Sequence, residues 1–282
     1  MNITKKVQIA LLVNGMVIVL AASPMLAYET APVADGAVLS GKVVLKGKAA
    51  DAKKFELSKF PNSDFCGKGL AEAGALHMNT GVVFGKNDKG EDAAVKGERM
   101  LREVGVTKDG MLKDVVVVIQ GIEKGKPLAF KGTDVKAANC RFLVQGPSEY
   151  VGVVMKKEKI RFDNDDNVMH NPHAYEVAGA KRDTMFNNPL NGKTQLTKEV
   201  KLRKSPIMKT ECDQHNFMQV WFYAIENPYY AVVGEDGSFT IDQVPPGKYK
   251  ITAWHPILGT QEQEVTLTAK GKGSATFEFK AQ

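Results

Sequence analysis

Residues 212–218 read CDQHNFM, and this short segment gives the strongest indication of the fold. It places a thiol at Cys212, an imidazole at His215 and a thioether at Met218, each three residues after the one before. Upstream, residues 169–173 read MHNPH and supply a second imidazole at His170. Four side chains of these three types favour a single metal ion held by nitrogen and sulfur ligands.

This set of donors predicts a mononuclear type 1, or blue, copper site. Thiolate and thioether suit Cu(I), and two His, one Cys and a weak axial Met form the trigonal site of blue-copper proteins. Two alternatives stay open. Cys212 could form a disulfide while the histidines fill loops, or the site could bind zinc, although structural zinc normally recruits a fourth strong donor.

The His-Asn pair at residues 170–171 and the short Cys212–Met218 loop resemble those of the cupredoxins, and the ligand spacing is similar to that of amicyanin within this amicyanin/plastocyanin-like family. The resemblance covers roughly residues 140–225 and implies a Greek-key β-sandwich, with residues 157–162 as the strand before the first ligand. It further implies that His170, Cys212 and His215 are equatorial ligands and that Met218 is axial. Asn171 would restrain the thiolate through its backbone amide.

The resemblance also implies that His215 is the electron gateway. In this family the second ligand histidine reaches the surface within an apolar patch. Phe217, Pro172 and Pro189 are the candidates for the rim of that patch here.

Three positions depart from the family pattern. Thr210 stands two residues before Cys212, where an aromatic residue is usual, and Asn216 replaces the proline that commonly follows the gateway histidine. Glu211 is expected to point to solvent; turned inward, it could lower the reduction potential or replace Met218 as a ligand.

The other histidines are not expected to bind the metal. His173 lies three residues after His170, so on an extended strand the two face opposite sides. His77 falls in an irregular segment, and His255 is expected to end a strand. Methionines 155, 169, 185 and 208 lack tight clustering and are expected to fill gaps in the core rather than to store copper.

The chain is predicted to be all-β. Alternating or continuous apolar runs predict strands, and Val244-Pro-Pro-Gly247 forces a turn. Residues 67–103 have no clear period and are expected to form mostly loop, with at most a short helix at 98–104. The predicted strands are 41–47, 114–120, 157–162, 198–203, 218–225, 238–241 and 248–254.

The segment from Tyr230 resembles a carboxypeptidase regulatory-like, or transthyretin-like, domain, and residues 36–43 resemble the opening strand of that domain. The resemblance implies two β-sandwiches, with the cupredoxin inserted into the other. The expected bounds are 1–27 for a signal peptide, 34–121 for the first part of the transthyretin-like sandwich with a long loop, 122–225 for the cupredoxin and 226–282 for the second part. A tandem order is the alternative.

Residues 1–27 have the layout of a secretory signal peptide, with Lys5 and Lys6 before an apolar run that ends in small residues. An uncleaved membrane anchor is the alternative. No later stretch has the roughly 20 apolar residues of a membrane helix, so no membrane span is expected after signal cleavage. The chain is therefore expected in the periplasm or outside the cell.

The three cysteines are an odd number in an oxidising compartment. The simplest explanation pairs Cys66 with Cys140 in a disulfide and leaves Cys212 to the metal.

The resulting hypothesis is a carrier of single electrons that cycles between Cu(II) and Cu(I), and not an enzyme, because no hydrolytic or phosphate-binding motif stands out. The partner would be a redox protein such as a c-type cytochrome or a dehydrogenase. The mild net charge of +6 gives little support for nucleic acid. Copper delivery, or a surface assembly or adhesion module with an accessory copper site, is the alternative.

Overall fold

The computed structural model describes residues 28–72, 82–83 and 98–281, so the expectations for the signal peptide and for His77 lie outside it. The described chain is almost entirely β, as predicted. Its one α-helix, α1, spans Ser63–Glu72, and a 3-10 helix spans Leu57–Lys59. The strands are β1 (Glu29–Thr30), β2 (Ala37–Lys46), β3 (Lys53–Glu56), β4 (Val82–Val83), β5 (Glu98–Leu101), β6 (Val116–Ile119), β7 (Lys124–Gly125), β8 (Thr133–Ala137), β9 (Phe142–Val144), β10 (Val151–Val154), β11 (Lys159–Asn164), β12 (Pro172–Ala178), β13 (Lys181–Asn187), β14 (Gln195–Glu199), β15 (Ile207–Cys212), β16 (His215–Ala224), β17 (Tyr230–Val232), β18 (Ser238–Val244), β19 (Gly247–His255), β20 (Gly259–Leu267) and β21 (Lys272–Lys280).

One sandwich is built from strands at both ends of the described chain. Its sheets have the orders β17-β6-β19-β20 and β18-β2-β21, with β2 running parallel to β21 over nine residue pairs. Leu39 and Val43 of β2 meet Ile251 of β19 and Phe277 of β21 in its buried core. The segment between β6 and β17 contributes no strand to either sheet. The exact domain bounds, at 121/122 and 225/226, stay a prediction.

The second sandwich holds the predicted metal ligands. Its sheets have the orders β10-β16-β15-β12-β13 and β14-β11-β8-β9. The pairs β10/β16 and β8/β11 are parallel and join strands far apart in sequence, so the chain crosses between sheets repeatedly. Phe142, Phe162 and Phe222 pack in the core between the sheets.

The region expected to be mostly loop contains regular structure. Strand β5 pairs with β3 and β4, and α1 follows Pro61. The short helix expected at 98–104 is wrong, because residues 98–101 alternate between half-buried and buried positions as a strand does. The buried residue Arg99 obscures that alternation in the sequence.

Most strand predictions lie within a few residues of the observed bounds, but the strand expected at 198–203 is displaced to β14, Gln195–Glu199. Residues 203–205 cannot pair in a sheet because their backbone N–H groups all donate to the Glu176 carboxylate. A buried acid thus turns the chain where the apolar pattern alone predicts extension.

The two sandwiches pack through an aromatic joint. Trp221 of β16 and Trp254 of β19 are both nearly inaccessible and share one buried cluster with Tyr150, Val116 and Ile225. The Trp221 indole N–H donates to the Tyr150 hydroxyl at 3.2 Å. The outer face of the β16 sheet is therefore covered rather than solvated.

Asp114 is a buried acid at this joint. The Ser148 hydroxyl donates to its carboxylate at 2.6 Å, and Ser148 in turn accepts the N–H groups of Tyr150 and Val151. Burial raises the pKa of Asp114 to about 6, against an opposing effect of the Ser148 hydrogen bond. An acid whose pKa is raised by folding stabilises the protein below its unfolded pKa, and that contribution is lost as pH rises through the folded pKa.

Replacing Asp114 with Asn should therefore flatten the pH dependence of stability. Between about pH 4 and pH 7 the wild type should lose about 2–3 kcal/mol of unfolding free energy relative to Asp114→Asn. Asn also tolerates the positive φ of this position. Urea titrations of the copper-free proteins measure the difference, with exposed Asp109→Asn as control. Parallel pH profiles for the wild type and Asp114→Asn would contradict the assignment.

Candidate metal centre

The predicted donors lie at or beside the ends of three strands, β12, β15 and β16. Cys212 ends β15 and His215 begins β16, and the two are paired across the turn between these strands. His170 lies just before β12, where it forms a β-bridge with Leu190. Pro172 of β12 pairs with Cys212, so the two ligand segments are neighbours in one sheet.

The donor atoms of these three residues converge on one small volume. The Nδ1 atoms of His170 and His215 are 3.3 Å apart, and the Cys212 Sγ lies 3.6 Å from the His215 Nδ1. All three side chains are completely buried. Nitrogen ligands about 2 Å from one shared ion lie roughly 3.3 Å apart, so the spacing fits a common metal.

The outer nitrogens of both rings are already engaged. His170 Nε2 lies 2.8 Å from an Asp166 carboxylate oxygen, and His215 Nε2 lies 2.9 Å from the Pro61 carbonyl oxygen. Both partners are acceptors at neutral pH, so each ring donates from Nε2. The inner Nδ1 atoms then present lone pairs to the same space as the thiol, which is a costly arrangement unless a cation or a proton fills it.

Asp166 is a positioning residue that sequence reasoning missed. Besides His170, its carboxylate accepts the backbone N–H groups of Asn139 and Cys140 at 2.6 and 2.8 Å. Burial acts to raise the pKa of Asp166, but the hydrogen bonds from His170 and these two amides outweigh it and lower the pKa below its ordinary value. Its place four residues before His170 was the only signal in the sequence. A carboxylate behind a ligand histidine fixes the ring orientation and tautomer.

Cys212 lies where a thiolate can be held. Burial raises the pKa of its thiol, while backbone N–H groups of Asn171, Gln214 and His215 act to lower it. The Asn171 N–H lies 3.2 Å from Sγ, the contact expected of that residue. Burial also lowers the pKa of His215 to about 4, so its ring is neutral at physiological pH. Metal binding would supply the positive charge that these groups lack.

The fourth predicted ligand, Met218, lies on the interior side of β16. It is almost fully buried in the same apolar cluster as Cys212 and Val220. Pairing along β15 shifts after Glu211, which leaves residues 216–218 without partners in that strand. This bulge breaks the usual alternation, and Phe217 and Met218 are both buried.

Glu211 points away from the thiolate. Its carboxylate forms an ion pair with the buried ammonium of Lys209, which lies 5.3 Å from the centre of the Trp221 ring. Successive residues of a strand face opposite sides, so Cys212 faces inward and Glu211 outward. Thr210 shares the inward side and its hydroxyl has no hydrogen-bond partner.

His173 also faces away from the ligands. It forms a surface network in which Nδ1 lies 2.9 Å from Asp213 and Nε2 lies 2.8 Å from the Thr184 hydroxyl. The side-chain amide nitrogen of Asn171 lies 3.3 Å from the same Asp213 carboxylate. The network therefore restrains Asn171, whose backbone N–H contacts the Cys212 sulfur.

The expectation that His215 reaches the surface is wrong. Residues 55–66, here called the cover, lie across it. Phe55 and Phe60 pack against Phe217 with ring centroids 5.8 and 5.2 Å away, and Pro61 accepts the His215 hydrogen bond. Phe217 is therefore buried beneath the cover and does not form an exposed rim.

The other expected rim residues do not form an apolar patch around His215 either. Pro172 is buried within its sheet, and Pro189 is exposed but lies beside the His170–Leu190 bridge. In place of the exposed apolar patch that the resemblance implied, Phe55 and Phe60 of the cover pack against Phe217.

A disulfide between Cys66 and Cys140 anchors the cover to the sandwich that carries the candidate ligands. Arg99, which is fully buried, donates to the carbonyl oxygens of Cys66, Cys140 and Asn139 at 2.6–2.8 Å. Its guanidinium also lies 5.1 Å from the centre of the Phe217 ring. The two cysteines expected to pair thus lie beside the site, while Cys212 stays free and buried.

A second group of potential ligands comprises Cys140, Asp166 and His170. Cys140 is oxidised in the disulfide and offers no thiolate. The Asp166 carboxylate is already engaged, because it accepts the hydrogen bond from Nε2 of His170. The donor set that remains within the described residues is two imidazole nitrogens and one sulfur, and Met218 is buried in the same apolar cluster as Cys212. One cysteine and two histidines without a fourth strong donor suit copper better than zinc.

Asp166→Asn should weaken copper binding by about 10- to 100-fold. An amide has one acceptor oxygen and cannot accept from His170, Cys140 and Asn139 together. Competition with a copper chelator measures the change. The neighbouring exposed residue provides the control Asp165→Asn, which should bind as the wild type does; equal affinities for both variants would refute the positioning role of Asp166.

Comparison with known proteins gives partial likenesses. Residues 214–275 match the family model described as polysaccharide lyase family 4, domain II. A search of the curated proteins found no match. None of the helices in the described part of the chain has the length and apolarity to cross a membrane.

The similar solved structures include cupredoxins. A purple cupredoxin from Nitrosopumilus maritimus is 16% identical, covering 33% of this chain and 98% of its own, with a TM-score of 0.26. Amicyanin from Paracoccus versutus is 14% identical over 35% of this chain and 84% of its own, with a TM-score of 0.26. A copper-containing nitrite reductase from Thermus scotoductus is 15% identical over 36% of this chain and 24% of its own, with a TM-score of 0.27. The converging donor atoms of His170, Cys212 and His215, and not these likenesses, indicate a candidate metal centre.

Proposed function

We propose that this chain binds one copper ion through His170, Cys212 and His215, with Met218 as a weak axial ligand, and that it carries single electrons between redox proteins. The observation that supports this most is the convergence of two proton-free Nδ1 atoms and one sulfur in a fully buried space. Copper held there would supply a Cu(II)/Cu(I) couple.

The chain's own residues suit electron transfer because they restrict movement of the ligands. Asp166 holds one imidazole, the Pro61 carbonyl holds the other, and the Asn171 N–H restrains the thiolate. A site that cannot rearrange changes oxidation state with little reorganisation. Burial of the three side chains also keeps water and small ligands from the candidate site, which argues against substrate chemistry at the metal.

Copper delivery is the second candidate from the sequence, and the cover weighs against it. Release would require the cover to separate from His215 while the disulfide and Arg99 hold it in place. Copper loss to a modest chelator should therefore be slow. Rapid loss from the intact protein would favour delivery over electron transfer.

The copper-loaded protein should show an intense thiolate-to-copper band in the visible spectrum and a small copper hyperfine splitting in the EPR spectrum. Cys212→Ser should abolish the band without unfolding the protein, as judged by circular dichroism. Cys212 is buried and free of disulfides, so the variant leaves the other cysteine pair intact. A colourless wild type would sink the proposal.

Met218→Leu should preserve the visible band but raise the reduction potential. Leucine leaves the copper with one ligand fewer and a more apolar surrounding, and both changes disfavour the more highly charged Cu(II) relative to Cu(I). Met208→Leu is a matched control, since Met208 is equally buried in the adjacent strand β15 but is not a predicted ligand. Voltammetry and EPR of both variants measure the effect; identical shifts would exclude Met218 as the axial ligand.

A further inference from the structure

Arg99 carries a positive charge that is buried beside the candidate metal centre. It lies fully buried on β5 and donates to three backbone carbonyl oxygens, those of Cys66, Asn139 and Cys140. Its Nε atom is also buried and has no hydrogen-bond partner. Carbonyl groups carry no net charge, so these contacts satisfy N–H groups of the guanidinium but leave its charge without a counterion.

The charged groups around Arg99 form no ion pair with it within the described part of the chain. Asp166 is the acid whose charge acts on Arg99, but its carboxylate accepts from His170 and from two backbone N–H groups. Arg141 repels Arg99 and is itself attracted by Glu149. Burial lowers the pKa of Arg99 to about 9, so the guanidinium is still charged at neutral pH.

This charge lies on the His215 side of the candidate site. The Arg99 guanidinium carbon is 5.1 Å from the centre of the Phe217 ring, and the centre of that ring is 5.7 Å from the centre of the His215 ring. Burial lowers the pKa of His215 to about 4, and the charges of His170 and Arg99 act in the same direction. A charge that opposes a proton on this ring also opposes additional positive charge on a metal ion bound to it.

We propose that the buried charge of Arg99 raises the reduction potential of the copper centre by disfavouring Cu(II) relative to Cu(I). This inference rests on the proposed function. Arg99 and Asp166 then act in opposite senses, because the carboxylate behind His170 favours the more highly charged Cu(II) and the guanidinium on the His215 side favours Cu(I).

The expected effect is large enough to measure. At an effective dielectric constant of about 20, a unit charge roughly 10 Å from the metal changes the ratio of the Cu(II) affinity to the Cu(I) affinity by about tenfold. For a one-electron couple, a tenfold change corresponds to about 59 mV in reduction potential.

The alternative is that Arg99 only anchors the cover through its hydrogen bonds. Loss of those bonds would then disturb the site to a similar degree whether or not the replacement is charged. Arg99→Gln and Arg99→Lys separate the two roles. Both side chains are shorter than Arg and can donate to a carbonyl oxygen, but only Lys keeps the positive charge.

Voltammetry of the copper-loaded proteins measures the effect, with Arg161→Gln as the control. Arg161 is exposed on β11, in the sheet that carries neither Cys212 nor His215, and it pairs with Asp134 and Asp163. Arg99→Gln should lower the potential by about 59 mV, the equivalent of tenfold. Arg99→Lys should lie closer to the wild type than to Arg99→Gln, and Arg161→Gln should match the wild type. Circular dichroism and the visible band check that each variant keeps its fold and its site.

A second measurement uses the wild type alone and does not depend on any variant folding. Coupling between two sites is reciprocal, so a metal ion of higher charge should act on Arg99 as Arg99 acts on the metal. Replacing Cu(I) with Zn(II) adds one positive charge without adding unpaired electrons. The ¹⁵N NMR signals of the Arg99 guanidinium should therefore move on this replacement, and those of Arg161 should stay in place.

The proposal stands if the neutral and charged variants of Arg99 differ in this direction and the Arg99 signals respond to the charge of the metal. Equal potentials for Arg99→Gln and Arg99→Lys would overturn it, as would Arg99 signals that do not move. If Arg99→Gln does not fold, the NMR measurement decides by itself. A wild type without the visible band would instead refute the proposed function, so the two failures are distinguishable.

Discussion

The centre of this structure depends on one constraint, which is that two imidazole lone pairs and one sulfur share a volume from which water is excluded. Each imidazole ring donates its N–H from the outer nitrogen, Nε2. The acceptor is the Asp166 carboxylate for His170 and the Pro61 carbonyl oxygen for His215. The inner atoms therefore face one another without a compensating charge. A metal ion bound there would supply the missing positive charge, and the surrounding hydrogen bonds keep the three donor atoms in position for one.

The cover and the disulfide belong to the same network. Cys140 donates its backbone N–H to Asp166, and its disulfide partner Cys66 ends the cover that reaches His215. Arg99 joins the carbonyl oxygens of both cysteines from a fully buried position. One cross-link therefore supports the outer partners of both ligand histidines, and residues far from the ligand loop in sequence control its access.

The two sandwiches pack against each other through a buried aromatic joint. Trp221 and Trp254 bury the outer face of the sheet that carries Cys212 and His215. Asp114 and Ser148 connect the two sandwiches at the same place. The ligand-bearing sheet is thus packed on both faces, with the metal centre on one and the joint on the other, and this packing restricts movement of the ligand strands.

The all-β class and the four candidate donor side chains are readable in the sequence, because strand patterns and the spacing of thiol, imidazole and thioether groups are local features. The family resemblance also implied the contact of the Asn171 backbone N–H with the Cys212 sulfur. The helix expected at residues 98–104 failed because Arg99, a charged residue, occupies a buried strand position that a hydrophobic pattern cannot reveal. Glu211 faces away from the thiolate, as expected, whereas only the tertiary structure placed Asp166 behind His170 and laid residues 55–66 over His215. These depend on contacts between segments distant in the chain, and Pro61 acts through a backbone carbonyl that every residue possesses, so no side-chain pattern could have identified it.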